Sequence, residues 1–577
     1  MKAALVIGLV SVGGAASAEH ATIETSTKEA RACLPLDGGD TLVGTGGGLV
    51  RVDEKGASRG VWTAGDGLPG TRIDSIVRDG DTIWIGTDGG LAEVKPDDDG
   101  GVTIGKTIAT KPVRDVIRFG GKVYVATWDG GVLANKTPVA IKGGAKAARM
   151  RMSALAIAGG ALYAGGEAGL YRLKGARFER VSKDAVTALA GDGDTLWIGS
   201  VRGIERRDGE KVTSLGGGEV RRLARIDGAI TIAGADGLAT IDRGRVVAID
   251  HAPRGFAQAL GGGPGGARCS GGLDGLDLQS AADAPWLHAI ATSGPPSNDI
   301  SAIVLDGDRL YAGTFDQGLA VRARGAWRTI ELPEVHDRIN TLLVADKQLW
   351  IGTAEGLVIL DPAHDRVRVI GKRDGLPGRN VLALHLTSDG RIVAGTSQGA
   401  AFVDGARPER VGPKNGGPGR DIGNVWSIAE APAGTLWLGT TTGLYRGPAQ
   451  AWAAKDDGGQ DWTRFSVATG ALGDDWVTSL LASDDTIYAG TYNGGVAAIE
   501  LATGTAAQLG GGWINPGGLA WDGDKLAAAT MDGLVEHDAR GWTALAGLPG
   551  KDTTAFVRAA DGARYIATRR GLMIIRP

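Results

Sequence analysis

Polar and aromatic residues recur at two positions of a repeating pattern in this sequence, and they are its candidates for binding chemistry. One position is the turn that follows a Gly-Thr step, and the other is the residue just before the apolar run that opens each repeat. Flat aromatic faces beside groups that donate and accept hydrogen bonds suit sugars, whose faces stack and whose hydroxyls do both. The candidate ligand-binding residues are Asp299, Phe315, Asp316, Gln317, Arg338, Asn380, Asn424, Trp476, Tyr492 and Asn493 in the second half of the chain, with Arg72, Trp128 and Asp129 in the first half.

Motifs for covalent or metal chemistry are weak in this chain. The segment 395–399 matches the Gly-x-Ser-x-Gly pattern around Ser397, but a nucleophile elbow needs a strand-to-helix turn, and this segment lies in the repeated turn between strands. The 7 His residues form no metal-ligand spacing. We therefore expect no catalytic residue, metal or cofactor. The paired carboxylates of a glycosidase stay open as an alternative, because Asp and Glu are abundant.

The amino-acid composition limits which secondary-structure elements can position these residues. Of the 577 residues, 97 are Gly and 43% are hydrophobic, which indicates many short strands joined by tight turns. The glycines do not recur at every third residue, which excludes collagen, and so many glycines disfavour a helical bundle. The 62 basic and 66 acidic residues form no basic block, so we expect no nucleic-acid partner.

A repeat of about 40 residues runs along the chain. Its clearest copies are the strand-like runs Leu196–Ser200, Leu349–Thr353 and Leu436–Thr440, each followed after two residues by Gly and an apolar residue. Asp-Gly pairs such as Asp192-Gly193 separate the apolar runs, and both residues of this pair tolerate the positive φ of a hairpin turn. Fourteen copies with four short strands each predict an all-β fold of two tandem seven-bladed β-propellers.

The repeat resembles that of a known family. The run Asp374-Gly375-Leu376-Pro377, followed by an apolar strand and the turn Thr396–Gly399, is similar to the two-component regulator propeller repeat. The resemblance implies paired seven-bladed propellers of the kind found in the extracytoplasmic sensor regions of hybrid histidine kinases, several of which recognise oligosaccharides. This sequence contains no kinase or receiver segment and no later membrane span, so we expect it to carry only the sensing or binding part.

The first residues of the chain resemble an export signal. Lys2 precedes the apolar run Ala3–Val12, and Ala16-Ser17-Ala18 has the small-x-small pattern that signal peptidase cleaves. We expect residues 1–18 to be a signal peptide cleaved after Ala18, residues 19–284 to form the first propeller and residues 285–577 the second. The product is then periplasmic or secreted, without a membrane span.

Two spare strand-like runs bear on how the propellers close. The chain ends inside the third strand of its last repeat, while His20–Thr25 and Pro285–Ile290 precede the first and eighth repeats. If each spare run supplies the outer strand of the last blade in its own propeller, His20–Thr25 completes blade 7 and Pro285–Ile290 completes blade 14. In the alternative arrangement Pro285–Ile290 completes blade 7 and the second propeller stays open.

Whether the two cysteines lie close together depends on how the first propeller closes. Cys33 opens blade 1 and Cys269 lies in the second strand of blade 7, so they are neighbours only if the first propeller closes at seven blades. Export permits a disulfide between them. Two isolated buried thiols are the alternative.

Together these features indicate an exported, non-enzymatic, sensor-like binding protein for carbohydrate or for a protein partner, such as a separate signalling protein. The alternative is an exported propeller hydrolase or lyase that acts on polysaccharide.

Overall fold

The computed structural model describes residues 20–142, 150–289, 294–333, 336–364, 366–403, 407–412, 422–451 and 462–577. The predicted signal peptide, residues 1–18, lies outside these ranges. The described residues form strands with three short 3-10 helices at Ala64–Asp66, Pro264–Gly266 and Lys372–Asp374. Within these ranges no helix has the length and apolar character that a membrane span needs.

The strands form fourteen antiparallel sheets, one for each repeat. The predicted all-β class and the two seven-bladed propellers are confirmed. In each blade the strands, here A to D, lie in chain order except where a propeller closes. Blade 4 has a short fifth strand, Ala140–Ile141, parallel to its strand D.

The first propeller consists of blades 1 to 7. Its strands A to D, blade by blade, are Ala30–Pro35, Thr41–Thr45, Gly48–Val52, Ser58–Trp62; Ile73–Asp79, Thr82–Thr87, Gly90–Pro96, Val102–Ala109; Val113–Phe119, Lys122–Thr127, Val132–Ala134, Thr137–Pro138; Met152–Ala158, Ala161–Gly166, Gly169–Lys174, Arg177–Ser182; Ala188–Asp192, Thr195–Ser200, Gly203–Asp208, Lys211–Gly216; Val220–Ile226, Ala229–Gly234, Gly237–Asp242, Arg245–Ala248; and Ala259–Gly262, Arg268–Gly272, Gly275–Gln279, Leu287–Ala289.

The second propeller consists of blades 8 to 14. Its strands A to D are Ile300–Asp306, Arg309–Thr314, Leu319–Ala323, Ala326–Ile330; Ile339–Ala345, Gln348–Thr353, Gly356–Asp361, Arg366–Ile370; Val381–Leu386, Ile392–Thr396, Gly399–Phe402, Glu409–Val411; Val425–Glu430, Thr435–Thr440, Gly443–Pro448, Thr463–Phe465; Val477–Ala482, Thr486–Thr491, Gly495–Glu500, Ala506–Gly510; Ile514–Asp522, Lys525–Thr530, Gly533–Asp538, Gly541–Ala544; and Thr553–Arg558, Arg564–Thr568, Gly571–Arg576, His20–Glu24.

The Gly-Thr step at the end of strand B has two separate structural roles. A Cβ on Gly313 would lie 2.4 Å from Cγ2 of Ile339, which opens the next blade, so glycine is needed for the blades to pack this closely. The hydroxyl of Thr353 is buried and donates to the carbonyl of Gly356 at 2.9 Å, which stabilises the turn to strand C. Gly356 has φ +150, a conformation that favours glycine. The glycine excess therefore reflects inter-blade packing and turns.

Apolar clusters lie between neighbouring blades and continue across both closures. Cys33 and Val43 of blade 1 pack with Leu276 of blade 7 in the first propeller. Ile300 of blade 8 packs with Ile574 of blade 14 in the second. Side chains near the start of strand A also link blades, which helps to close each propeller. Gln258 Nε2 donates to the Ala30 carbonyl at 3.3 Å and Thr554 Oγ1 to the Ile300 carbonyl at 2.7 Å.

The closing strands are the reverse of those predicted. Leu287–Ala289 pairs with strand C of blade 7, and His20–Glu24 pairs with strand C of blade 14, with Ala21 opposite Ile575. The predicted assignment of His20–Thr25 to blade 7 and of Pro285–Ile290 to blade 14 is therefore wrong. The alternative was right about blade 7 but wrong in leaving the second propeller open. Ile290 itself lies outside the described residues.

Specific partners explain why the N-terminal strand belongs to blade 14. Its residues Ala21 and Ile23 pack against the apolar cluster of blades 13 and 14. Glu24 accepts hydrogen bonds from Arg322 and Trp327 of blade 8, which joins the two ends of the second propeller. The compact units accordingly divide between Thr25 and Ser26, and the second propeller resumes at Gly294. The predicted boundary at 284/285 is corrected because Leu287–Ala289 belongs to the first propeller, and residues 20–25 belong to the second.

A disulfide joins Cys33 to Cys269 across the closure of the first propeller. The Cα atoms are 6.1 Å apart, and both side chains are buried in the cluster between blades 1 and 7. The first propeller is thus closed covalently, whereas the second is closed by pairing of its N-terminal strand.

Candidate functional site

A repeated backbone hydrogen bond brings the two predicted binding positions together. In blade 12 the amide of Tyr492, first in the turn after strand B, donates to the carbonyl of Trp476, just before strand A, at 2.9 Å. The same bond joins Phe315 to Asp299 at 3.0 Å. It recurs from Ala354 to Arg338, Ser397 to Asn380, Thr441 to Asn424, Asp88 to Arg72, and Arg569 to Asp552. The residue before strand A and the turn after strand B therefore lie side by side in each of these blades.

Four aromatic side chains form a continuous row across blades 11 to 13, here called the aromatic row. Ring centroids are 5.6 Å apart between Trp426 and Trp476, 4.3 Å between Trp476 and Tyr492, and 5.8 Å between Tyr492 and Trp513. The last two pairs are stacked, with interplanar angles of 19° and 17°. Trp513 ends the row with 48% of its surface exposed. The row offers flat apolar faces at the turn side of the second propeller.

Polar groups border the aromatic row. The indole N–H of Trp513 donates to the side-chain oxygen of Asn493. The backbone N–H of Asn493 donates to the carboxylate of Asp474 at 3.0 Å. The indole nitrogens of Trp426 and Trp476 are buried and have no hydrogen-bond partner among the described residues. The exposed end of the row thus combines an aromatic face with an amide and a carboxylate, a combination that can stack on a sugar and bind its hydroxyls.

Asp299 and Phe315 belong to a second cluster, centred on Arg569 of blade 14. The Arg569 guanidinium lies 4.4 Å from the ring centre of Phe315, and its Nε lies 3.1 Å from Asp299 Oδ1. Burial raises the pKa of Asp299, and the positive charge of Arg569 opposes this shift. Asp299 and Phe315 therefore already contact Arg569 of their own propeller.

Among the other candidates of the second propeller, Asp316 adds to the upward pKa shift of Asp299 through its negative charge. Asn380 accepts a hydrogen bond from Asn340 Nδ2 at 2.8 Å, which ties blades 9 and 10 together. Asn424 is partly buried, and its carbonyl accepts the Thr441 amide. Asp316, Gln317 and Arg338 are exposed.

In the first propeller, Arg72 and Trp128 face a group of arginines. Arg72 Nε lies 3.1 Å from Asp74 Oδ2. The indole of Trp128 is contacted by the guanidiniums of Arg114 and Arg151, at 4.4 and 4.9 Å from the ring centre. Asp129 is exposed and pairs with Lys111 at 3.2 Å. In the part of the chain that the structure describes, no group of three His, Cys, Asp or Glu side chains is arranged to hold a metal.

Sequence reasoning missed two members of the aromatic row, Trp426 and Trp513. Trp513 precedes strand A of blade 13 just as Trp476 precedes strand A of blade 12, so the repeat register contained the signal. An irregularity between Ile514 and Leu519 in that strand disturbs the register and hides the correspondence. The arginines beside Arg72 were also missed, because they come from separate blades.

Comparisons with known proteins bear on the fold. A similar solved structure is that of PorZ, an essential bacterial surface component of the type-IX secretion system of Porphyromonas gingivalis, with a TM-score of 0.70 and 15% identity, covering 96% of this chain and 87% of that one. The chain shares the fold of that protein. No family model and no curated protein matches the sequence.

The chain is also similar to the extracellular domains of two putative hybrid two-component systems of B. thetaiotaomicron. The repeat in this sequence resembles that of the same class of protein. The first has a TM-score of 0.41 and 16% identity, covering 96% of this chain and 82% of its own. The second has a TM-score of 0.40 and 14% identity, covering 96% and 83%.

Proposed function

We propose that this chain is an exported, non-enzymatic, sensor-like protein whose second propeller binds carbohydrate at the exposed end of the aromatic row. The observation that carries the proposal is the row itself, whose end residue Trp513 is half exposed beside Asn493. An aromatic face costs free energy to leave in water, and a sugar face that stacks on it restores an apolar contact. A protein ligand would use the same exposed aromatic surface in a different way, by inserting its own side chains.

Three features support export and a sensor role. The first residues have the pattern of a cleavable signal peptide. A disulfide between Cys33 and Cys269 is typical of exported proteins. The structurally similar PorZ is described as a surface component, and the repeat resembles that of extracytoplasmic sensors. A separate signalling protein would then receive the signal.

Replacing Trp513 by Ala should weaken binding of the oligosaccharides found on a glycan array by about 30-fold, because truncating a central aromatic contact costs about 2 kcal/mol. Trp476→Ala should have a similar or larger effect, since it removes the support of Tyr492. Isothermal titration of the mature protein measures the loss. The matched control is Phe256→Ala, which removes an exposed aromatic residue of the first propeller.

Equal affinity of Trp513→Ala and the unmodified protein would contradict the proposed site. Product analysis of each array ligand after incubation addresses catalysis separately. Turnover of a glycan would replace the binding function with the alternative, a hydrolase or lyase that acts on polysaccharide.

A further inference from the structure

Four arginines from different blades converge on Asp74 in the first propeller, three of them on its buried carboxylate. Arg31, Arg72 and Arg114 contact the carboxylate of Asp74 at 2.8, 3.1 and 3.1 Å. Arg222, from blade 6, donates to the Asp74 carbonyl at 2.6 Å. Asp74 is only 1% exposed. Burial disfavours its ionisation, but the three arginines outweigh burial and lower its pKa.

Other carboxylates lie near this cluster of arginines. Glu29 pairs with Arg31 at 2.5 Å. Asp115 accepts hydrogen bonds from the Val116 and Leu155 amides, and burial raises its pKa to about 6. The four guanidiniums thus lie close to Asp74, Glu29 and Asp115, and the backbone amide of Arg72 also donates to the Asp88 carboxylate at 3.2 Å. Burial lowers the pKa of Arg114 to about 10, with the neighbouring arginines acting in the same direction and Asp74 opposing them.

Two residues that carry an unused hydrogen-bond donor line a cavity at the same place. The cavity has a volume of about 170 Å³ and is lined by residues from strand A of all seven blades, so it lies in the central channel. Arg114, Asp115, Arg222 and Ser75 are among its lining residues. The Nε of Arg114 and the hydroxyl of Ser75 are buried without a hydrogen-bond partner among the described residues, and Ser75 is 6% exposed. A buried donor without a partner costs free energy unless a ligand or water satisfies it.

Solvent reaches the cluster, because the side chains of Arg31, Arg72 and Arg114 keep 20%, 20% and 19% of their surface exposed. The cavity volume is several times the roughly 30 Å³ that one water occupies. A planar or tetrahedral oxyanion fits this space and accepts from guanidinium groups with short, charge-assisted hydrogen bonds.

We propose that the central channel of the first propeller binds an oxyanion, a carboxylate, phosphate or sulfate group, between Arg114, Arg222 and Ser75. The group is either a free inorganic ion or the acidic substituent of a saccharide. This site is independent of the aromatic row, since it lies in the other propeller.

The test uses the mature protein and three probes: inorganic phosphate, D-glucuronate and, as the neutral comparison, D-glucose. Isothermal titration up to about 10 mM probe should show binding of phosphate, glucuronate or both, and none of glucose. Affinity should fall as salt is raised, because exposed charges are screened. Binding of phosphate alone identifies an inorganic ion, and binding of glucuronate alone identifies an acidic saccharide.

Arg114→Gln should weaken that binding by about tenfold or more, since it removes a charged donor from the site. Arg78→Gln is the matched control, because Arg78 lies in the same propeller but pairs with exposed Asp37 at 3.2 Å outside the channel. If Arg114→Gln does not fold, Ser75→Ala provides the second variant, with a smaller expected loss. Absence of binding by both anions, or unchanged affinity in the variant that folds, would overturn the proposal. Loss of glycan binding in Trp513→Ala would leave this result unchanged.

Discussion

Deleting residues 20–25 should lower the unfolding temperature of the second propeller by about 10 °C and leave the first propeller unchanged. The strand His20–Glu24 pairs along its whole length with Gly571–Arg576, so its loss exposes an unpaired strand edge. It also removes Ala21 and Ile23 from the apolar cluster of blades 13 and 14. These losses add to several kcal/mol of the free energy of unfolding.

The single substitution Glu24→Gln isolates the polar part of this closure. Both Arg322 Nε and Nη2 lie 2.7 Å from the Glu24 carboxylate, and Trp327 Nε1 lies 2.8 Å from it. Hydrogen bonding to Glu24 also raises the pKa of Arg322. Removing the negative charge leaves a mostly buried guanidinium without its ion pair, so we expect a loss of about 2 kcal/mol.

Differential scanning calorimetry with hydrogen exchange by mass spectrometry assigns each transition to one propeller. Glu54→Gln, an exposed glutamate of the first propeller, is the control for a change of charge. If the deletion destabilised blades 1 to 7 instead, the N-terminal strand would close the first propeller in solution, and the topology described above would be wrong.

Removing the disulfide should lower the stability of the first propeller and leave that of the second unchanged. The bond spans 236 residues, and the chain-entropy model gives about 5.5 kcal/mol for a loop of this length. Because it joins blade 1 to blade 7, the loss falls on the closure of the first propeller. The double variant Cys33→Ala, Cys269→Ala should therefore unfold at a lower temperature in blades 1 to 7 and at an unchanged temperature in blades 8 to 14.

A reducing agent gives an independent check of the same bond. Reduction should shift the unmodified protein toward the double variant and leave the double variant itself unaffected. Thiol titration under denaturing, non-reducing conditions should find no free thiol, since both cysteines are paired. Two free thiols, or equal stability of the variant and the unmodified protein, would contradict the expectation.

Much of the fold was predictable because its determinants repeat along the chain. A pair of small residues marks the end of strand B in every blade, and the pair is Gly-Thr in seven of the fourteen. At Gly313 the missing side chain lets the next blade approach, and the hydroxyl of Thr353 caps the turn. Counting these strand ends determines the number of blades. The pairing of Trp476 with Tyr492 was likewise accessible, because both positions follow from the register of one repeat.

Two features required contacts between distant parts of the chain. His20–Glu24 and Leu287–Ala289 are both short strands that could close either propeller, and only the partners of Glu24 on blade 8 and the cluster of blades 13 and 14 distinguish them. The arginines around Asp74 come from blades 1, 2, 3 and 6, and each looks like an ordinary polar residue in its own repeat. Local repetition therefore determined the architecture from the sequence alone. Closure and the charged channel were decided only by the tertiary structure, because both depend on side chains that meet across a propeller.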